Sequence, residues 1–195
     1  MLKKFLQITG LLVILFTFNS CGYNKMVALD EEVKSGWAQV ENAYQRRADL
    51  IPNLVSTVKG AANFEQETIT KVIEARSKAT GVTVDASKLT PESIQKFQEA
   101  QNELSGALSR LMVSVERYPE LKATQAFMEL QSQLEGTENR ISVERKNFNE
   151  TVKSYNTYIR KFPSNLIAGM FKFEQKGYFE ADKGSDKVPT VDFGK

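Results

Sequence analysis

Apolar residues recur in steps of three and four along most of this chain, which is the spacing of one face of an α-helix. The first such series has one polar step, at Arg47. Its apolar members are Val33, Trp37, Val40, Tyr44, Ile51, Leu54 and Val58. Such stripes must be buried against other helices, because burying each large apolar side chain contributes about 1.5–3 kcal/mol. The chain is therefore predicted to be all-α.

A second, shorter helix is predicted after Gly60. Asn63 can cap it, Gln66 stands three residues later as in a capping box, and Gly81 ends it. The stretch GVTVDASKLT that follows is rich in small and turn-forming residues, so it is predicted to be a loop.

Two longer helices are predicted after this loop. The third begins with Thr90 as its cap and Pro91 in its first turn, and it ends before Pro119, because proline disfavours a helical residue before it. The fourth runs from about Leu121 to Arg160, which at 1.5 Å per residue is roughly 60 Å. Helices of this length with heptad-like spacing pack on one another. The sequence therefore predicts an elongated, mostly antiparallel bundle of about four helices.

The pattern changes after Phe162-Pro163. Residues 163–195 are predicted to form a short helix, begun by Ser164 or Asn165, and then an extended tail. The tail carries too many aromatic side chains to be left fully in water, so part of it is expected to pack back on the bundle. These aromatics are Phe171, Phe173, Tyr178 and Phe179.

The amino terminus has the layout of an export signal: two lysines, an apolar run over residues 5–18, and then small or polar residues before Cys21. The run is shorter than the roughly 20 apolar residues that a membrane-spanning helix needs. Residues 1–20 resemble a bacterial lipoprotein signal, in which Ser20 precedes a cysteine that is lipidated. An uncleaved helical anchor is the alternative. With either attachment, residues 21–29 are predicted to be a tether and residues 30–162 the helical bundle.

Composition excludes several classes of function. The net charge of +2 includes two signal lysines, so the chain from Cys21 onward has 26 − 2 = 24 basic and 24 acidic residues. No basic block appears, and no nucleic-acid partner is predicted. The chain has no histidine and one cysteine, which excludes an imidazole base, a thiolate or histidine metal site and a disulfide within the chain. We therefore predict no enzyme activity, no metal and no cofactor.

The densest polar cluster is RRADLIPNLV, residues 46–55. Arg47 takes an inward step of the first helix and Glu144 an inward step of the fourth, both near the middle, so we predict that they pair. The alternative is that both long side chains extend to the bundle edge. Pro52 is predicted to kink the first helix or to mark a join, because it removes one backbone hydrogen bond.

Three ordered segments resemble the LemA family of bacterial membrane-attached helical proteins. They are WAQVENAYQRRADLIPNLVSTVKGAANFE, YPELKATQAFMELQSQLEGTENRISVERKNFNETVKSYNTYIRKFPSNLIAGMF and GYFEA. The resemblance implies a long helical bundle attached to a membrane at its amino terminus, with no known catalytic activity. The candidate interaction or structural positions are Arg46, Arg47, Asp49, Pro52, Asn53, Glu144, Phe162, Pro163 and Asn165. LemA-like proteins commonly begin with a spanning helix, whereas the apolar run of this chain ends in Ser20-Cys21.

Two function classes remain open. The first is a membrane-tethered scaffold or adaptor for protein partners in the cell envelope, facing the periplasm if the cell has two membranes. The second is a binding protein that holds an apolar or envelope-derived ligand between helices, for which an apolar pocket of several hundred cubic ångströms would be expected. An unburied stripe would also let the bundle associate with itself.

Overall fold

The computed structural model describes the backbone of residues 2–61 and 64–181 and the side chains of residues 22–61 and 64–181. All regular structure in this part of the chain is helical, which confirms the predicted all-α fold. The helices are α1 (Leu2–Lys59), α2 (Gln66–Gly81), α3 (Pro91–Val115), α4 (Pro119–Lys122), α5 (Gln125–Arg160) and α6 (Ser164–Phe171).

The four long helices pack antiparallel to their main neighbours. Gly36 of α1 lies against Phe148 of α5, and Arg47 further along α1 meets Glu138 earlier in α5, so the two helices run in opposite directions. Helices α2 and α3 are also antiparallel. Glu65, just before α2, accepts a hydrogen bond from Ser114 near the end of α3 at 3.1 Å, whereas Lys78 near the end of α2 pairs with Glu103 earlier in α3 at 2.7 Å. The predicted antiparallel bundle is confirmed.

Two hydrophobic cores follow one another along the bundle. The tail-end core includes Trp37, Tyr44, Phe97, Ile141, Phe148, Tyr155 and Phe179. The far-end core includes Ile51, Leu54, Leu104, Leu111, Phe127 and Leu134. Along each of the three helices α1, α3 and α5 a polar residue falls between the two sets: Arg47, Gln101 and Glu138, respectively. A polar layer therefore separates the cores.

Two predicted helix starts have different outcomes. Thr90 caps α3 by accepting a hydrogen bond from the backbone N–H of Ser93 at 3.2 Å, and Pro91 lies in the first turn, as predicted. Helix α2 begins at Gln66, and the residue before it makes no side-chain capping bond. The predicted cap, Asn63, lies outside the described residues.

The predicted fourth helix is interrupted near its start. Residues Pro119–Lys122 form the separate single turn α4, and α5 begins only at Gln125. The cause is Thr124, whose hydroxyl accepts a hydrogen bond from the Phe127 backbone N–H at 3.3 Å and so starts a new helix. A capping residue can therefore divide a helix even where the apolar periodicity continues across it.

Helix α1 continues through Pro52, so the predicted join is wrong. Proline has no N–H to donate to the carbonyl four residues earlier, which belongs to Ala48. That carbonyl instead accepts a hydrogen bond from Nε of Arg76 on α2 at 2.8 Å. The lost backbone bond is thus replaced by a contact between helices.

The amino-terminal predictions are tested only in part. The backbone from Leu2 onward belongs to α1, but the export signal and the lipidation of Cys21 concern residues whose side chains lie outside the described set. Residues 21–29, predicted as a tether, are part of helix α1, and both Met26 and Leu29 are buried in the tail-end core. Within residues 22–61 and 64–181, whose side chains are described, no helix has the apolar length needed to cross a bilayer.

Candidate functional site

The segment after α6 turns back and runs between α3 and α5. Lys172 adopts a left-handed backbone conformation with φ 57°, and the backbone N–H of Phe173 donates to the carbonyl of Ala168 at 2.9 Å. The turned chain, residues 174–181, then carries no helical structure. We call this segment the tail. The predicted return of the tail onto the bundle is confirmed.

Two asparagines of α5 hold the tail by its backbone. The side-chain amide of Asn156 donates to the Lys176 carbonyl and accepts from the Lys176 N–H, both at 2.9 Å. The amide of Asn149 makes the same pair of bonds with Phe179, again both at 2.9 Å. Each asparagine therefore satisfies both polar groups of one tail residue.

The spacing of these two contacts explains why the tail is extended. Asn149 and Asn156 are seven residues apart, a rise of about 10.5 Å along a helix. The tail residues that they bind are three apart, and an extended chain covers about 10 Å in three residues. Two turns of α5 therefore have about the same length as three residues of an extended segment. The segment runs antiparallel to α5, because the later asparagine binds the earlier tail residue.

Helix α3 supplies a third amide of the same kind. Gln98 donates to the Glu180 carbonyl at 2.9 Å and accepts from the Glu180 N–H at 3.1 Å. Arg145 of α5 donates to the same carbonyl at 2.7 Å. All of these bonds involve peptide groups, so they recognise an extended backbone whatever its side chains.

Gly177 brings the tail close to the start of α3. Its N–H donates to the Leu89 carbonyl at 2.8 Å. A Cβ added at Gly177 would lie only 2.7 Å from Cα of Pro91 and 2.9 Å from the carbonyl oxygen of Thr90. These are backbone atoms, which cannot move aside as a flexible side chain can. Only glycine fits this position.

Phe179 is the one tail side chain that reaches the core. It is 5% exposed and stacks on Trp37 at a centroid distance of 6.0 Å. Phe148 meets its edge at 5.6 Å, and the guanidinium of Arg145 lies 5.2 Å from the ring centroid. An aromatic anchor thus accompanies the backbone contacts.

Charged and phenolic groups fix the beginning of the tail. The ammonium of Lys176 lies 3.0 Å from a carboxylate oxygen of Asp30 on α1. Burial by itself raises the pKa of the Asp30 carboxyl, but hydrogen bonds from Lys34 and Lys176 outweigh burial and hold that pKa below its usual 3.8. Burial also raises the pKa of the Tyr155 phenol, whose O–H donates to the Glu174 carbonyl at 3.0 Å.

A cleft of about 490 Å³, lined mainly by residues with polar side chains, is bordered by Glu180 and Ala181 of the tail. Ser105 lies in it, seven residues after Gln98 on α3, where the next repeat of an extended segment would meet that helix. The lining also includes Gln95, Glu99, Asn102 and Glu138. We call this space the cleft.

Arg47 forms the floor of the cleft and is 2% exposed. Its Nη1 donates to Ser105 Oγ at 2.7 Å and to Glu138 Oε2 at 2.9 Å, and its Nη2 donates to the Gln101 side-chain oxygen at 2.9 Å. The Arg47 Nε is buried without a hydrogen-bond partner among the described residues. The burial predicted for Arg47 is confirmed.

The predicted pairing of Arg47 with Glu144 is wrong. With Gly36 opposite Phe148, the antiparallel register places Arg47 level with residues near 137 and Glu144 level with Val40. Seven residues of helix, or roughly 10 Å, therefore separate the two charges along the bundle. Glu144 is buried beside Arg140 of its own helix at 2.7 Å. The prediction assumed that Arg47 and Glu144 each lie at the middle of their helix. Arg47 does not, because α1 begins well before Val33.

The other predicted positions do not gather at one site. Arg46, Asp49, Pro52 and Asn53 are exposed along α1, while Phe162, Pro163 and Asn165 are exposed at the junction of α5 and α6, where the Phe162-Pro163 peptide is cis. Of the nine candidates, only Arg47 lines the cleft.

Sequence reasoning missed the residues that hold the tail: Gln98, Asn149, Asn156 and Gly177. One signal was available for the asparagines, since each directly follows an aromatic member of the apolar stripe, Phe148 or Tyr155. Two amides at heptad spacing beside a buried stripe lie at the edge of a helix interface. Such residues can bind a segment laid along that edge.

Fold and site together define a helical bundle that holds an extended polypeptide segment along one groove. The LemA family model matches residues 36–193, and this chain belongs to the LemA family. It is 24% identical over 160 residues to Protein LemA of Metamycoplasma hominis, covering 82% of this chain and 69% of that protein. It is 26% identical over 190 residues to Magnetosome protein MamQ 2 of Paramagnetospirillum magneticum and to Magnetosome protein MamQ of Magnetospirillum gryphiswaldense, covering 87% of this chain and 68% of each.

Proposed function

We propose that this protein is a non-catalytic adaptor of the cell envelope, attached to a membrane at its amino terminus, that binds an extended segment of a partner protein in the cleft. The observation that carries the proposal is the set of hydrogen bonds that holds the backbone of the tail. Three amide side chains bind peptide groups in pairs, and Ser105 continues their spacing into the cleft. A groove built this way suits another extended chain.

The lining of the cleft favours a polypeptide over an apolar ligand. It carries the charged groups of Arg47, Glu99 and Glu138 and several amides. An apolar ligand would remove water from these groups and offer no hydrogen bonds in its place, which costs free energy. Peptide N–H and carbonyl groups would instead supply partners, and Ser105, which accepts from Arg47, still has its own O–H to donate.

Membrane attachment and the absence of catalysis are supported by the sequence. The amino-terminal apolar run ends at Cys21, and either lipidation there or a retained helical anchor would hold the bundle at a bilayer. In a bacterium with two membranes the bundle would face the periplasm. The absence of histidine removes the commonest general base.

Site-specific photo-crosslinking in intact cells tests the proposal. A photoreactive amino acid replaces Glu99, which is exposed and lines the cleft, or Lys96, which is exposed on the same helix outside the cleft. We expect adducts with one protein from position 99 and not from position 96, with mass spectrometry mapping them to one short segment. Equal adducts from both positions, or none from position 99, would contradict an adaptor role for the cleft.

A further inference from the structure

Helix α6 exposes its apolar side chains instead of burying them. Leu166 is 62% exposed, Met170 77% and Phe171 54%, while Ala168 on the opposite side is buried against the bundle. Phe162, just before the helix, is 81% exposed. We call these four side chains, Phe162, Leu166, Met170 and Phe171, the α6 patch. Contiguous apolar exposure of this kind marks an interaction surface.

The α6 patch lies beside the point where α1 leaves the predicted anchor. The ring of Tyr23 packs on Phe171 with centroids 4.8 Å apart. A Cβ placed on Gly22 would lie 2.9 Å from Ile167, so the two helices touch there. Gly22 directly follows Cys21 in the chain. The patch is therefore at the end of the molecule that any amino-terminal anchor would bring to a membrane.

Basic residues predominate in the two stretches that form this end, although Asp30, Glu32, Glu150 and Glu174 lie next to them. The two stretches that meet there, residues 22–29 and 157–173, contain no acidic residue. Their basic residues are Lys25, Arg160, Lys161 and Lys172. The rest of the chain after the signal is acidic, since it carries 24 − 4 = 20 basic and 24 acidic residues. A basic rim around an apolar patch is complementary to an anionic bilayer surface.

We propose that α6 lies in the interface of the membrane to which the amino terminus is attached, with the α6 patch among the lipids. The inference rests on the membrane attachment proposed above and not on the function of the cleft. It holds for a lipidated Cys21 and for a retained helical anchor, because residue 22 lies at the bilayer surface in both cases.

A second copy of the chain is the competing occupant of the α6 patch. In a two-fold dimer the same surface faces itself, so the basic rims of both copies would lie close together. Like charges at that distance repel each other, whereas the head groups of anionic lipids attract them. The charge of the rim therefore favours lipid over a second copy.

Spin labelling of the full-length protein tests this inference. The protein is extracted from membranes, reconstituted into vesicles of phosphatidylcholine and phosphatidylglycerol, and labelled after Met170→Cys or Val113→Cys. Val113 is the matched control, since it is 71% exposed and lies on α3 near the far-end core. The unsubstituted chain, labelled in the same way, reports any reaction at Cys21.

We expect the label at position 170 to lose collisions with a water-soluble nickel complex and gain collisions with oxygen on reconstitution, and the label at position 113 to remain unchanged. Equal nickel accessibility at the two positions on vesicle-bound protein would overturn the inference and leave membrane attachment standing. Protein that does not co-sediment with vesicles would overturn both. Spin–spin broadening at position 170 that disappears on dilution with unlabelled protein would assign the patch to a second copy instead.

Discussion

Arg47 places a permanent positive charge between two apolar cores, and its neighbours satisfy most of its donors. Glu138, the ion-pair partner of Arg47 among the described residues, has a side chain that is 59% exposed. Water therefore screens that carboxylate, and the neutral acceptors Ser105 and Gln101 carry much of the interaction. The guanidinium is thus held more by hydrogen bonding than by charge pairing.

Arg47→Ala is expected to lower the free energy of unfolding by about 3–5 kcal/mol, because it leaves buried acceptors without a donor. Glu138→Ala should cost less than about 1 kcal/mol, as for an exposed ion pair. Denaturant unfolding of both single variants and of the double variant measures the coupling between them.

The control cycle pairs Arg47→Ala with Glu144→Ala. The two residues are separated along the bundle, so their effects should add. A coupling energy larger for Glu144 than for Glu138 would show that the charges are paired differently in solution.

Asp30 connects the tail to α1 and gives that contact a pH dependence. Its folded-state pKa lies below the usual 3.8, so the contact contributes stability above about pH 4 and loses it as the pH falls through the folded-state pKa. We expect Asp30→Asn to destabilise the protein at pH 7 by roughly 2 kcal/mol, the scale of hydrogen bonds to charged groups. Thermal unfolding between pH 7 and pH 2 should give a shallower decline for the variant. Parallel curves would contradict the assignment.

At the scale of elements, the helices could be predicted from the sequence because apolar periodicity is local. The break before α5 was missed because a single threonine at position 124 decides it. The partner of Arg47 was missed because it depends on the register between helices about 90 residues apart in the chain. The path of the tail was missed because Gln98, Asn149 and Asn156 look like ordinary surface amides until a backbone lies beside them.

Pro52 and Arg76 together connect α1 to α2, because Pro52 leaves the Ala48 carbonyl without a helical donor and Arg76 donates to it. Arg76→Met should cost roughly 1.5–3 kcal/mol, because the Ala48 carbonyl loses a charged donor. In a Pro52→Ala background the new backbone N–H can donate to the Ala48 carbonyl. Arg76→Met should then lower the free energy of unfolding by less than it does in the unsubstituted protein. Denaturant unfolding of the four proteins tests this, and equal costs in both backgrounds would contradict it.

Gly177→Ala is expected to displace the tail, because the added methyl group meets backbone atoms of α3. Overpacking of this kind costs about 1–3 kcal/mol. The fluorescence of Trp37, the only tryptophan in the chain, should change as Phe179 leaves it.

Gly169→Ala is the matched control for Gly177→Ala. Nothing lies within 4 Å of a Cβ at Gly169, which is inside α6. The substitution should stabilise the helix by about 0.5–1 kcal/mol and leave the Trp37 emission unchanged. Equal fluorescence from the two variants would contradict the close fit of the tail.

At the scale of the whole molecule, the polar layer around Arg47 divides the bundle into two halves. Leu111→Ala, in the far-end core, should cost about 2–5 kcal/mol. We expect native-state hydrogen exchange to accelerate most near Leu54 and Leu104, while amides near Trp37 keep more of their protection.

Val152→Ala, which removes side-chain volume from the tail-end core, should give the reverse distribution. The comparison of the two exchange maps distinguishes a bundle whose two halves unfold partly independently from one that unfolds as a single cooperative unit. Uniform acceleration by both variants would show that the polar layer transmits unfolding from one core to the other.

Two turns of α5 are as long as three extended residues of the tail. This equality constrains the number of tail residues between the two asparagine contacts and not the identity of their side chains. A tail one residue shorter between Lys176 and Phe179 would still reach either asparagine, but it could not reach both at once. Side chains facing away from the groove are therefore free to vary through evolution. Insertions and deletions in that short interval are not, and neither is a change in the number of α5 residues between Asn149 and Asn156.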